Sequence, residues 1–113
     1  MAQRVLHVRG LPDAALDAAG CFHAVWVPQV RALIEQAGTG DDLALVFPRA
    51  EHRHQDWRLS VVQDLAREAA PVRINAAAGA DYQAVAETLA YLAVAPGITG
   101  QVLAVDGNFV KMD

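Results

Sequence analysis

Apolar runs and helix-period stripes alternate along this chain, the pattern of a parallel α/β sheet. Val5-Leu6-His7-Val8 reads as a short buried strand. Asp13 to Gly20 reads as a connector of turn residues with one helical turn at most. From Val27 to Gln36 the apolar positions Val27, Val30, Leu33, Ile34 and Ala37 share one helical face. Pro28 is tolerated in the first turn of that helix, and Gly38-Thr39-Gly40 ends it. Leu43 to Phe47 shows no alternation, so it reads as a strand buried on both faces. Pro48 to Gln55 reads as a polar loop.

Asp56 stands where it can cap a second helix running to Ala69. Leu59, Val62, Ala66 and Ala69 form its stripe, with Trp57 and Val61 off it. Val72 to Ala77 reads as a third strand. Gly79 to Asp81 turns the chain, and Asp81 can cap a helix to about Val94 with Val85, Leu89 and Leu92 inward. Pro96-Gly97 stops that helix, and Gln101 to Val105 reads as the last strand. The chain holds no internal repeat, low-complexity tract or linker, so residues 1–113 are expected to form one domain.

Composition narrows the function. Hydrophobic residues are 54% and charged residues 19% of the chain, so apolar surface must be hidden in a core or at a subunit contact. A net charge of −4 argues against nucleic-acid binding, which needs a basic face. The single cysteine, Cys21, leaves no internal disulfide and fits a reducing compartment. No basic segment followed by an apolar run opens the chain, and no apolar stretch is long enough to span a bilayer. These features set the expectation of a cytoplasmic protein with no membrane partner.

The end of the chain carries the most specific pattern. Ile98-Thr99-Gly100-Gln101, a strand, and Val105-Asp106-Gly107 resemble the last helix-to-strand segment of the short-chain dehydrogenase/reductase family. Three earlier pieces are similar to the same family in the same order. Phe22-His23-Ala24-Val25-Trp26-Val27 matches its Phe-x-x-Val-Asn-Val entry into a central helix. Asp41 to Val46 resembles the following strand, and Leu65 to Asn75 resembles the helix end and Ile-Arg-Val-Asn strand. The resemblance implies a three-layer, Rossmann-like α/β fold: a mostly parallel sheet of about four strands with three main helices. These strands correspond to the family's fourth through seventh, and its first three strands have no counterpart.

The chemistry that the resemblance implies is not matched by the residues. Dinucleotide binding needs a glycine-rich turn between a strand and a helix, where backbone N–H groups meet the pyrophosphate. Arg9-Gly10-Leu11-Pro12-Asp13 follows the first strand instead, and Gly38-Thr39-Gly40 follows a helix. The family's tyrosine and lysine align with Glu51 and Gln55. A carboxylate is already deprotonated near neutrality and an amide carries no charge, so neither can serve as the acid pair. Phe47-Pro48-Arg49 stands in place of the family serine, and Trp26 in place of its asparagine. No long lid follows Gly79. No catalytic residue and no nicotinamide or other cofactor site is therefore expected.

Glu51-His52-Arg53-His54 invites a metal reading, with His7, His23 and Cys21 as further donors. Two histidines are too few for a tight site, so the loop is expected to be exposed and metal-free. Replacing His52 and His54 together is then expected to leave metal content and stability almost unchanged. Cys21, Tyr82 and Tyr91 lack catalytic neighbours in sequence. Trp26, Trp57 and Val61 are candidate interface residues, and the two tryptophans read equally well as core packing. The reading is a catalytically silent relative of the dehydrogenases that acts by forming a homo-oligomer or by joining a related subunit. Two alternatives stand beside it. One is an oxidoreductase-like enzyme that completes its site with another subunit; the other is a small-ligand or metal-binding module.

Overall fold

In the computed structural model, residues 2–38 and 40–105 are described. The chain runs β1 (Gln3–His7), α1 (Ala15–Cys21), a π-helical turn (Phe22–Trp26), α2 (Val27–Glu35) and β2 (Asp42–Phe47). A 3₁₀ turn (His52–His54), α3 (Gln55–Ala69), β3 (Arg73–Ala78), α4 (Tyr82–Ala93) and β4 (Val102–Ala104) follow. The strands form one parallel sheet in the order β1-β2-β3-β4. Thr39, and Asp106-Gly107 of the terminal pattern, lie outside the described residues.

Side chains alternate across a strand, and this divides the core in two. Leu43, Leu45 and Phe47 of β2 face Phe22, Val27 and Val30, and Val61, Val62 and Leu65 of α3. Ala44 and Val46, with Asn75 and Ala77 of β3, turn the other way, toward α4 and its buried Val85 and Leu92. The sheet is thus the middle of three layers, an α/β Rossmann-like arrangement. The chain steps across the sheet in one direction, yet α4 lies on the face opposite α2 and α3. The β3–α4–β4 crossover therefore has the opposite hand to the two before it, although such crossovers nearly always share one hand.

The segment Ile98–Gln101 clamps this last crossover. Asn75, 1% exposed in the middle of β3, donates from Nδ2 to the Ile98 carbonyl at 2.9 Å. Its Oδ1 accepts from the Gln101 N–H at 3.0 Å. Thr99 Oγ1 accepts from the Ile74 N–H at 3.2 Å, and the Gly100 N–H donates to the Ile74 carbonyl at 2.7 Å. Gly100 has φ +76°, and a Cβ there would lie 3.7 Å from Ala66 Cβ. The motif thus joins β3, α3 and β4 through groups that would otherwise be unpaired.

Several expected boundaries shift. The stretch from Asp13 to Gly20 is mostly helix, because α1 continues through the π-helical turn into α2. Pro28 cannot donate to the carbonyl four residues back and its ring crowds that group, and the widened turn just before it accommodates both effects. Gln29 Nε2 donates to the Val25 carbonyl at 3.2 Å, supplying a partner from a side chain. Asp56 is not the cap of α3; the N-cap is His54, and Asp56 lies in the first turn. The buried stripe of α3 is Arg58, Val61, Val62, Leu65, Ala66 and Ala69, while Leu59 is exposed. On α4, Leu89 is only half-buried. Asp81 does cap α4, accepting from the Gln83 and Ala84 N–H groups.

Candidate functional site

The carboxyl ends of β2, β3 and β4 and the first turns of α3 enclose a cavity of about 590 Å³. Crevices at strand carboxyl ends are where open α/β sheets place their ligands. Ala78, Val102 and Ala104 come from the sheet side, Arg49, Glu51 and His54 from the β2–α3 connection, and Gln55, Arg58 and Leu59 from the first turns of α3. The positions that the resemblance assigned to tyrosine and lysine, Glu51 and Gln55, are therefore on the wall of this cavity. Glu51 is exposed, and its Oε1 pairs with Arg53 Nη1 at 2.8 Å.

His54 departs from the expected exposed loop: it is 7% exposed. Its Nδ1 accepts from Trp57 Nε1 at 3.0 Å, and its Nε2 lies 2.9 Å from the Asp13 carbonyl. An indole N–H can only donate and a carbonyl can only accept, so the ring is fixed as the neutral Nε2–H tautomer. His52 is exposed. The pair cannot act as a chelate while both His54 nitrogens are committed. Among the described residues no three His, Cys, Asp or Glu side chains converge. His7 and His23 are exposed, and His23 Nδ1 lies 2.9 Å from the Ala19 carbonyl. Cys21 is a half-buried free thiol.

Trp57 packs among Phe22, Phe47 and His54, with ring centroids 5.7, 5.8 and 6.2 Å away. Trp26 is half-buried and also packs against the core. Val61 is 3% exposed within the chain's own core, which leaves it no surface to present to another subunit. The strongly exposed apolar side chains lie elsewhere: Leu16 on α1, Val25 in the π-helical turn, Tyr82 and Tyr91 on α4, and Val94 at its end.

Arg58 is the residue that sequence reading missed. It is 6% exposed, donates from Nη1 to the Pro48 carbonyl at 3.0 Å, and lies with Cζ 4.6 Å from the Phe47 ring centroid. Its Nε–H has no acceptor. Burial holds its pKa down, to about 10. The signal was present in the sequence. Arg58 falls on the same helical stripe as Val62, Leu65 and Ala69, a charged residue where an apolar one belongs.

Among the described residues the glycine turns do not form a dinucleotide cradle. The turn after β1 holds Gly10 at φ +74°, and a Cβ there would meet nothing within 4 Å, so this glycine is not held open by a close approach. Gly38 and Gly40 lie at the amino end of β2, away from the cavity. No cradle of backbone N–H groups is formed at the carboxyl end of β1 by these residues.

A parallel α/β sheet sandwiched by helices, with a cavity at the carboxyl ends of its strands, defines the Rossmann-like class. The sequence profile of a family described as short chain dehydrogenase-like protein matches residues 6–105. The chain belongs to that short-chain dehydrogenase-like family. No curated protein and no solved structure matches it.

Proposed function

We propose that this protein is a non-catalytic short-chain dehydrogenase-like subunit that acts through assembly, with a second copy or with a related dehydrogenase-like chain. The observation that carries this reading is the open side of β1. Among the described residues β1 pairs only with β2, and its outer side has no strand beside it. Val5 and His7, on the face shared with α4, are both exposed. An edge strand with unpaired N–H and C=O groups is a template for another strand, and natural proteins pair or cover such edges. Glu51 and Gln55 at the aligned acid-pair positions support the absence of hydride transfer. Among the described residues no helix is long and apolar enough to cross a membrane. The reading places the protein in the cytoplasm.

Sedimentation at low micromolar concentration tests it. The expected result is a dimer or larger species that Val5→Lys reduces toward monomer, because a charge at an edge position opposes strand addition. A monomer under these conditions, with a related dehydrogenase chain also failing to associate, overturns the reading. The cavity favours a second reading, an enzyme that completes its site with another subunit. Titration calorimetry with NAD and NADP separates the two. A saturable micromolar isotherm would support the enzyme, and its absence the assembly subunit.

A further inference from the structure

Arg58 is a buried guanidinium with no counter-charge among the described residues. Its Nε–H, which has no accessible surface, has no acceptor, and among the described residues no carboxylate pairs with it. Phe47 covers one face of the guanidinium plane, but an aromatic ring does not occupy the N–H edge. A buried cation left this way is costly, and a bound anion would relieve the cost. Arg58 also lines the cavity of about 590 Å³, beside the first turn of α3. The N-cap of α3 makes no side-chain cap bond, although the Gln55 N–H already donates to the His52 carbonyl.

The rest of the wall chooses among anions. Leu59, Ala78, Val102 and Ala104 are apolar, and the exposed Glu51 and Asp56 offset the positive charge of Arg49 and Arg58. With these charges in balance, a monoanion leaves less excess charge in the cavity than a dianion such as phosphate. The remaining N–H edge of one arginine matches the two oxygens of one carboxylate. The volume lies within the range that holds small organic ligands.

We propose that this cavity binds a small monocarboxylate with an apolar body, its carboxylate taken by the unpaired N–H edge of Arg58 as that side chain shifts toward the cavity, and its body by Leu59, Ala78 and Val102. The site uses no part of the β1 edge, so it stands or falls separately from the assembly reading.

The probe is hexanoate, titrated by calorimetry into the full chain, with hexan-1-ol and inorganic phosphate as comparisons. Hexanoate is expected to bind saturably, and both comparisons about ten-fold more weakly or worse. Arg58→Met should weaken hexanoate roughly ten- to hundred-fold, the range of charge-assisted hydrogen bonds. It should keep the thermal stability of the native chain, because an apolar chain replaces an unpaired charge. If that variant fails to fold, Arg58→Lys, which keeps the charge but not the fork, should still lose most of the affinity. Equal binding of hexanoate and hexan-1-ol, equal binding of phosphate, or unchanged hexanoate affinity in the Arg58 variants overturns the proposal. So does the absence of saturable hexanoate binding at millimolar concentration.

Discussion

Trp57 donates its indole N–H to His54 Nδ1 at 3.0 Å, and through His54 it is tied to the Asp13 carbonyl 2.9 Å beyond. This short relay fastens the start of α3 to the connector that precedes α1. It also converts a histidine that looked like part of a solvated loop into a packed residue. His54→Ala should therefore destabilise the protein by about 1–3 kcal/mol, the cost of orphaning buried polar groups. His52→Ala should change stability little, since His52 is exposed. Urea unfolding of the two single variants checks this. Equal, negligible effects would mean that the relay carries no stability.

The contrast between these two histidines shows what the sequence could and could not reveal. Period and turn chemistry located all four strands, the caps at Asp81 and the stop at Pro96-Gly97. They failed where tertiary contacts override local preference. The helix read from Val27 with Pro28 in its first turn is where α2 begins, but Asp13 to Gly20 reads as a connector because a widened turn that runs α1 on into α2 leaves no local signature. Asp56 looked like a cap because its type suits one, yet His54 takes that place and holds Trp57. The candidate site was legible in part. Glu51 and Gln55 were placed by the resemblance, and both line the cavity. Arg58 was overlooked because the stripe was drawn through Leu59 instead of through the charged residue beside it.

Asn75 offers a second test of the clamp on β4. Both ends of its amide bond the Ile98–Gln101 segment, at 2.9 and 3.0 Å. Asn75→Ala should cost about 2–4 kcal/mol, because two buried hydrogen bonds are lost and their backbone partners left unpaired. Asn75→Asp should also destabilise, since its oxygen would face the Ile98 carbonyl. Hydrogen exchange should show the loss of protection concentrated at β3, β4 and the Ile98–Gln101 segment. Uniform loosening would point to general core damage instead.

The acid limb of stability should depend on Asp41. The N–H groups of Gly38 and Ala2 donate to its carboxylate at 2.8 Å each, and hold its pKa down to about 2. An unfolded aspartate titrates near 3.9. A depressed carboxylate contributes stability above the unfolded value and loses it as pH falls through the folded one. The window is thus about pH 4 to pH 2. Glu68, held down by Arg31, acts with the same sign. Asp41→Asn should lower stability at neutral pH and flatten the fall in that window. Denaturant unfolding across pH 2 to 7 measures it, and an unchanged acid limb would count against the role.

Gly100 separates a backbone requirement from a packing one. Its φ of +76° lies in the left-handed region, which an L side chain enters at a cost of roughly 1–2 kcal/mol. Space is not the obstacle, because a Cβ would lie 3.7 Å from Ala66 Cβ and 3.8 Å from the Gln63 atoms, ordinary contact distances. Gly100→Ala should therefore destabilise by about 1–2 kcal/mol. Trimming the neighbour in Gly100→Ala/Ala66→Gly should not recover that loss. Any effect of the Ala66→Gly change should simply add to it, as expected for sites that do not interact through sterics. If the double variant instead regains stability beyond the sum of the single changes, crowding against α3 is the cause. The glycine would then be required for close packing and not for its backbone angle.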